Sequence, residues 1–103
     1  MAGGYFVALT SQARAHFATI QRWWGANRPA ASELFAGELR AAVSRVAFAP
    51  NSVAVYRSMN GREIRRLLLP RSRYHVYFEV NEGARQVFIL AILHVSRGGK
   101  PAL

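Results

Sequence analysis

The sequence predicts an α+β domain: a short N-terminal strand, an antiparallel helix hairpin, then a three-stranded antiparallel meander, all in one sheet. Three observations predict it. Apolar residues recur in steps of three and four between positions 12 and 47, the spacing of helix faces. Residues 74–80 alternate cleanly, with Tyr74, Val76, Phe78 and Val80 set against His75, Tyr77 and Glu79, the period of a strand. Helical and strand patterns are also segregated along the chain, which argues against interleaved βαβ units.

The elements follow in order. Tyr5 to Leu9 reads as a strand, and Thr10 and Ser11 are N-cap residues for the next element. Ala13, Phe17, Ile20 and Trp24 then mark one face of a helix from Gln12 to about Ala26. Gly25 and Asn27 are its stop signals, and Pro29 starts the next element. Leu34, Phe35, Leu39, Ala42, Val43 and Val46 give a second helix from about Ala30 to Ala47, ending before Pro50. The short connection makes the pair an antiparallel hairpin. Residues 51–60 show no clear period, and Asn60-Gly61 is a turn signal. Three strands complete the domain, at Arg62–Leu69, Tyr74–Val80 and Gln86–His94. The last is apolar on both sides, as expected near the centre of a covered sheet. The end of the chain, SRGGKPAL from 96 to 103, is expected to be a flexible tail.

Composition narrows the function. The 103 residues make one domain with a small core, since 51% are apolar. Fourteen cations face five acids, for a net charge of +9. That excess calls for an acidic partner, whether nucleic acid, anionic membrane or acidic protein. Every cation except Lys100 is arginine, whose planar fork grips carboxylate and phosphate at two points. The absence of cysteine excludes disulfides and thiolate metal sites and fits a reducing cytoplasm. The start, MAGGYFVALT, lacks the cationic and apolar regions of a signal peptide. The longest apolar run, Val87 to Leu93, is too short to span a bilayer as a helix.

Six cations, Arg57, Arg62, Arg65, Arg66, Arg71 and Arg73, fall within seventeen residues that hold one acid, Glu63. Such a run is ordinarily a solvated face. Read functionally, it is an anion-binding face that Arg97 and Lys100 extend. His75 sits beside Tyr74 and Tyr77 on the polar side of a strand, where a binding role ranks ahead of proton transfer because no partner group is apparent. His16 and His94 are scattered, and with no cysteine they give no metal-ligand spacing. Trp24 continues the core stripe, whereas Trp23 lies about 100° round the helix, on a partner surface or shielding the hairpin end. No phosphate-binding loop, nucleophile elbow, zinc motif or useful carboxylate pair occurs. The site is therefore expected to need no cofactor and no metal.

The ordered pieces LTSQARAHFATIQRWWGANRP, LFAGELRAAV, Pro50, IRRLLLPRSRYHVYFEV and VFILAILHVSR resemble the ParE branch of the RelE/ParE superfamily of type II toxins over nearly the full length. The resemblance implies the compact RelE/ParE fold and a toxin neutralised by a small acidic antitoxin in a hetero-oligomer. That antitoxin would bind operator DNA, which the toxin would reach only through it. ParE-like toxins inhibit DNA gyrase and serve plasmid stabilization; RelE-like toxins cleave mRNA on the ribosome. The RelE nuclease pattern is incomplete here. Arg66 falls near one of its strand cations and Arg97 at the end of the last strand, but His75 stands where an Arg is expected and no Tyr follows Arg97. The resemblance thus implies a gyrase inhibitor, with Arg62, Arg65, Arg66, Arg71, Arg73, His75, Arg97 and Lys100 meeting the target. Trp23, Arg65, Arg73 and Tyr77 would meet the antitoxin. If the chain is instead a ribonuclease, Arg66, His75 and Arg97 would be its catalysts. A third possibility is an inactive toxin that only binds antitoxin and helps repression.

Overall fold

The computed structural model describes residues 4–97 and 101–103. Its elements are β1 (Phe6–Leu9), α1 (Ser11–Asn27), α2 (Leu34–Phe48), β2 (Val55–Met59), β3 (Arg62–Leu69), β4 (Tyr74–Asn81) and β5 (Gln86–His94). The strands form one five-stranded sheet in the order β1-β5-β4-β3-β2. β1 runs parallel to β5, and the other pairs are antiparallel. The architecture is α+β as expected, with two corrections.

The first correction is a strand. The segment expected to be irregular contains β2, so the meander has four strands rather than three. Alternation fails there because the β2–β3 register shifts between Val55 and Arg57, and a bulge sends neighbouring residues to one face. Asn60 and Gly61 both have positive φ, at 50° and 78°. That is the geometry of a two-residue hairpin turn, which requires a strand on each side.

The second correction is a helix start. Pro29–Ala31 forms a separate 3-10 turn, and α2 begins at Leu34 instead of Ala30. Pro29 favours a helical first turn, but no side chain caps α2. α1, in contrast, is capped by Thr10, whose hydroxyl accepts from the Ala13 N–H at 3.2 Å.

Both helices lie on one face of the sheet. Ala13, Ile20, Trp24, Phe35, Leu39, Ala42 and Val46 bury against Leu69, Tyr74, Val76, Phe78, Val87, Ile89 and Ile92. Phe35 bridges Phe17 and Tyr74, with ring centroids 5.9 and 5.0 Å away. β1 stops at Leu9, leaving part of the β5 edge to be satisfied by other groups. Gln12 Nε2 donates to the Leu90 carbonyl at 3.1 Å, and His16 Nδ1 accepts from the Ile92 N–H at 3.1 Å.

The opposite face is not merely polar. Ile64, Tyr77, Leu90, Ala91 and Leu93 form a second buried cluster, joined by Tyr56, Met59, Phe88 and Leu103. A bulge in β5 contributes to it. Tyr77 pairs with Ala91 and Phe78 with Ile89, so Leu90 is the extra residue. At the end of the segment expected to be a flexible tail, Leu103 packs on this face, and the two residues before it are hydrogen-bonded. Arg57 Nη2 donates to the Pro101 carbonyl at 3.1 Å, and Gln12 Nε2 donates to the Ala102 carbonyl at 2.8 Å.

Candidate functional site

Strand alternation divides the arginine run between two faces. β3 residues Arg65, Leu67 and Leu69 pair across from Phe78, Val76 and Tyr74, all on the helix side. Arg66 pairs with Tyr77 and points to the open face, as do Arg62 and Arg57. Arg71 and Arg73 lie in the β3–β4 turn, where Arg73 adopts a φ of 70°.

Each arginine meets a different environment. Arg62 makes a two-point contact with Glu79, at 2.9 and 2.7 Å, and is electrostatically spoken for. Arg65 is mostly covered, with 15% of its side chain exposed. It donates to the Val53 and Asn51 carbonyls and ties the turn before β2 to the sheet. Arg66 lies over the Tyr56 ring, 4.2 Å from its centroid, with Arg57 at 5.6 Å from the same ring. Tyr56 in turn packs edge-on against Tyr77 at 5.4 Å. Tyr56 was not legible as a site residue because β2 itself was not.

Arg66, His75, Tyr77 and Arg97 come together around an open-face cavity of about 90 Å³, which Tyr56 and Pro101 also line. Burial first, then the Arg66 and Arg73 charges, lower the His75 pKa below its ordinary value. The ring is therefore neutral near pH 7. Its T-shaped neighbour is Tyr77, at 6.0 Å. Tyr77 is only 5% exposed, so it supports the cavity from beneath. Lys100 lies outside the described residues. Among the described residues, no three His, Asp or Glu side chains gather as metal ligands.

On the helix side the β3–β4 turn is clamped from α2. Glu38 accepts from the Arg71 N–H at 2.9 Å, the Ser72 N–H at 2.8 Å and the Ser72 hydroxyl at 2.7 Å. Burial acts to raise the Glu38 pKa, but the Ser72 and Arg71 donors and the Arg71 charge outweigh it and leave it lowered. No spacing in the sequence announces this clamp, because α2 and the turn are distant in the chain. Beside it, Trp23, Trp24, Arg28, Leu34, Arg71 and Tyr74 line a groove of about 640 Å³.

The comparisons with known proteins converge on one group. The family model described as the ParE toxin of the type II toxin-antitoxin system, parDE, matches residues 7–98. The chain belongs to the ParE toxin family. Among solved structures, this ParE-family chain is similar to one from the chromosomal ParDE system of P. aeruginosa, at 18% identity and a TM-score of 0.74, covering 92% of this chain and 100% of the other. It is also similar to a chain of the RelBE2 toxin–antitoxin complex of Mycobacterium tuberculosis, at 19% identity and a TM-score of 0.53, covering 94% and 98%. At these identities the likeness concerns the fold. No curated protein matches significantly.

Proposed function

We propose that this ParE-family toxin inhibits DNA gyrase and is held inactive by an acidic antitoxin, in a cytoplasmic hetero-oligomer. The observation that carries this reading is the open sheet face. Arg57, Arg66 and Arg97 surround an aromatic floor there, and Glu79 on that face is already held by Arg62. A cationic surface with stacked aromatics suits the phosphates and bases of gyrase-bound DNA. Arg66 and Arg97 are its central contacts, flanked by His75, and Lys100 is the further cation expected from the sequence. The antitoxin partner is supported by the family match and by the solved relatives, which come from toxin–antitoxin systems. Operator DNA is contacted through that antitoxin.

The second reading is a RelE-type, ribosome-dependent endoribonuclease. The convergence of Arg66, His75 and Arg97 on one cavity favours it. Against it stands the cavity's size, about 90 Å³, where sites that enclose a small ligand usually hold about 300–1,000 Å³.

A supercoiling and cleavage assay with purified chain, run beside in vitro translation, tests the proposal. Inhibited supercoiling with accumulated cleaved DNA and normal translation is the expected result. Codon-positioned mRNA cuts with unaffected gyrase would replace it with the second reading.

A further inference from the structure

Residues 101–103 lie on the open face, among the cations proposed to meet the target. Pro101 lines the same cavity as Tyr56, Arg66, His75 and Arg97. The groups that hold the segment come from separated elements. Arg57 Nη2, on the edge strand β2, donates to the Pro101 carbonyl at 3.1 Å. Gln12 Nε2, at the start of α1, donates to the Ala102 carbonyl at 2.8 Å and to the Leu90 carbonyl of β5 at 3.1 Å. Leu103 packs on the buried cluster of Ile64, Tyr77, Leu90, Ala91 and Leu93. That cluster faces away from the helices, so Leu103 gives it some of the cover that the helix layer gives the other face.

This attachment is exchangeable. Pro101, Ala102 and Leu103 bring no charged side chain, and both hydrogen bonds go to neutral main-chain carbonyls. Arg57 Nε is buried and, among the described residues, has no acceptor. A phosphate could accept from such a guanidinium at two points and with the help of charge. An anion arriving at Arg57 would take the donor from Pro101 and compete for the surface that Leu103 covers. We infer that residues 101–103 are an intramolecular cap on the open face, displaced when the anionic target binds; the inference rests on the target reading of that face given above. Free toxin is then a mixture of capped and uncapped chains. The target's apparent affinity is its affinity for the uncapped chain scaled by the uncapped fraction. Loosening the cap raises that fraction without touching Arg57, Arg66 or Arg97. Unlike restraint by an antitoxin, the cap needs no second chain.

The test uses the intact chain with single substitutions. Leu103→Gln removes the apolar anchor and Gln12→Ala the donor to Ala102, with Ala41→Gln on the exposed side of α2 as control. Circular dichroism and urea midpoints report the fold. Each chain is titrated with fluorescein-labelled oligo-dT and assayed for inhibition of gyrase supercoiling. Leu103→Gln should bind oligo-dT at least about threefold more tightly and inhibit at a correspondingly lower concentration. Gln12→Ala should change in the same direction, and Ala41→Gln should not change. In the unaltered chain, the Ala102 and Leu103 amide NMR signals should move to random-coil positions as oligo-dT is added. Signals that stay in place in the bound chain would overturn the cap whatever the variants do. Weaker binding by the folded variants would make 101–103 part of the binding surface and end the proposal. Unchanged affinity, with or without a lower urea midpoint, would leave the contact a purely structural one and end it too. Tighter oligo-dT binding with no supercoiling inhibition by any chain would remove gyrase as the target and leave the cap standing. Oligo-dT bound by none of the chains would overturn the cap and the nucleic-acid reading of the face together.

Discussion

Adjacent arginines in one strand do opposite jobs. Arg65 faces the helix layer, is nearly covered, and holds backbone carbonyls of residues 51 and 53. Arg66, the next residue, lies on Tyr56 on the open face. The sequence offers both as target contacts, and they look equivalent until the strand's two faces are assigned. Their charge reversals should separate. Arg65→Glu would set a carboxylate against two carbonyl oxygens and should cost about 3 kcal/mol of stability, seen as a lower urea midpoint. Arg66→Glu should leave the midpoint nearly unchanged and abolish most gyrase inhibition. Equal loss of stability in both would contradict this division.

At the scale of elements, the hairpin between β2 and β3 brings Tyr56 beneath Arg66. Gly61 at its tip has a φ of 78°, a conformation that β-branched residues resist. Gly61→Val should destabilise the protein by about 1–2 kcal/mol. The shift would appear in the urea midpoint, with the slope of the transition unchanged. Asn60-Gly61 was legible as a turn, but its type follows from the paired backbone. Reading it as a two-residue hairpin would have recovered β2 from sequence. The bulge at Tyr56 hid that strand by breaking the period of two. The clamp from Glu38 to Arg71 and Ser72 belongs to this scale as well, because it joins α2 to a turn far along the chain.

For the whole molecule, acid should be destabilising in two stages. Burial first, then the Arg97 charge, lower the His16 pKa from its ordinary value near 6.5; burial and nearby arginines do the same for His75. Below that value the unfolded chain binds more protons, so stability falls as pH drops. His16 adds a structural reason, since its Nδ1 must stay unprotonated to accept from Ile92. A second loss should begin below about 4.5, as Glu38 and Glu82, both held below that ordinary value, take up protons. Each proton also adds to a net charge already at +9, and self-repulsion grows. Thermal melts between pH 8 and 2 should show the midpoint falling in two steps; a flat profile would refute the assignment.

The sequence by itself determined the α+β class, the helix hairpin, four of the five strands of the sheet, and the demand for an acidic partner. These are local or additive properties: hydrophobic period, turn chemistry and summed charge. Only the tertiary structure decided which arginines are structural, which meet solvent, and how Trp23, Arg28 and Arg71 come to share a groove. Those depend on strand register, on two bulges that shift the faces, and on contacts between distant segments such as Glu38 with Ser72. No local pattern encodes them, because a one-residue change of register exchanges the two faces of a strand.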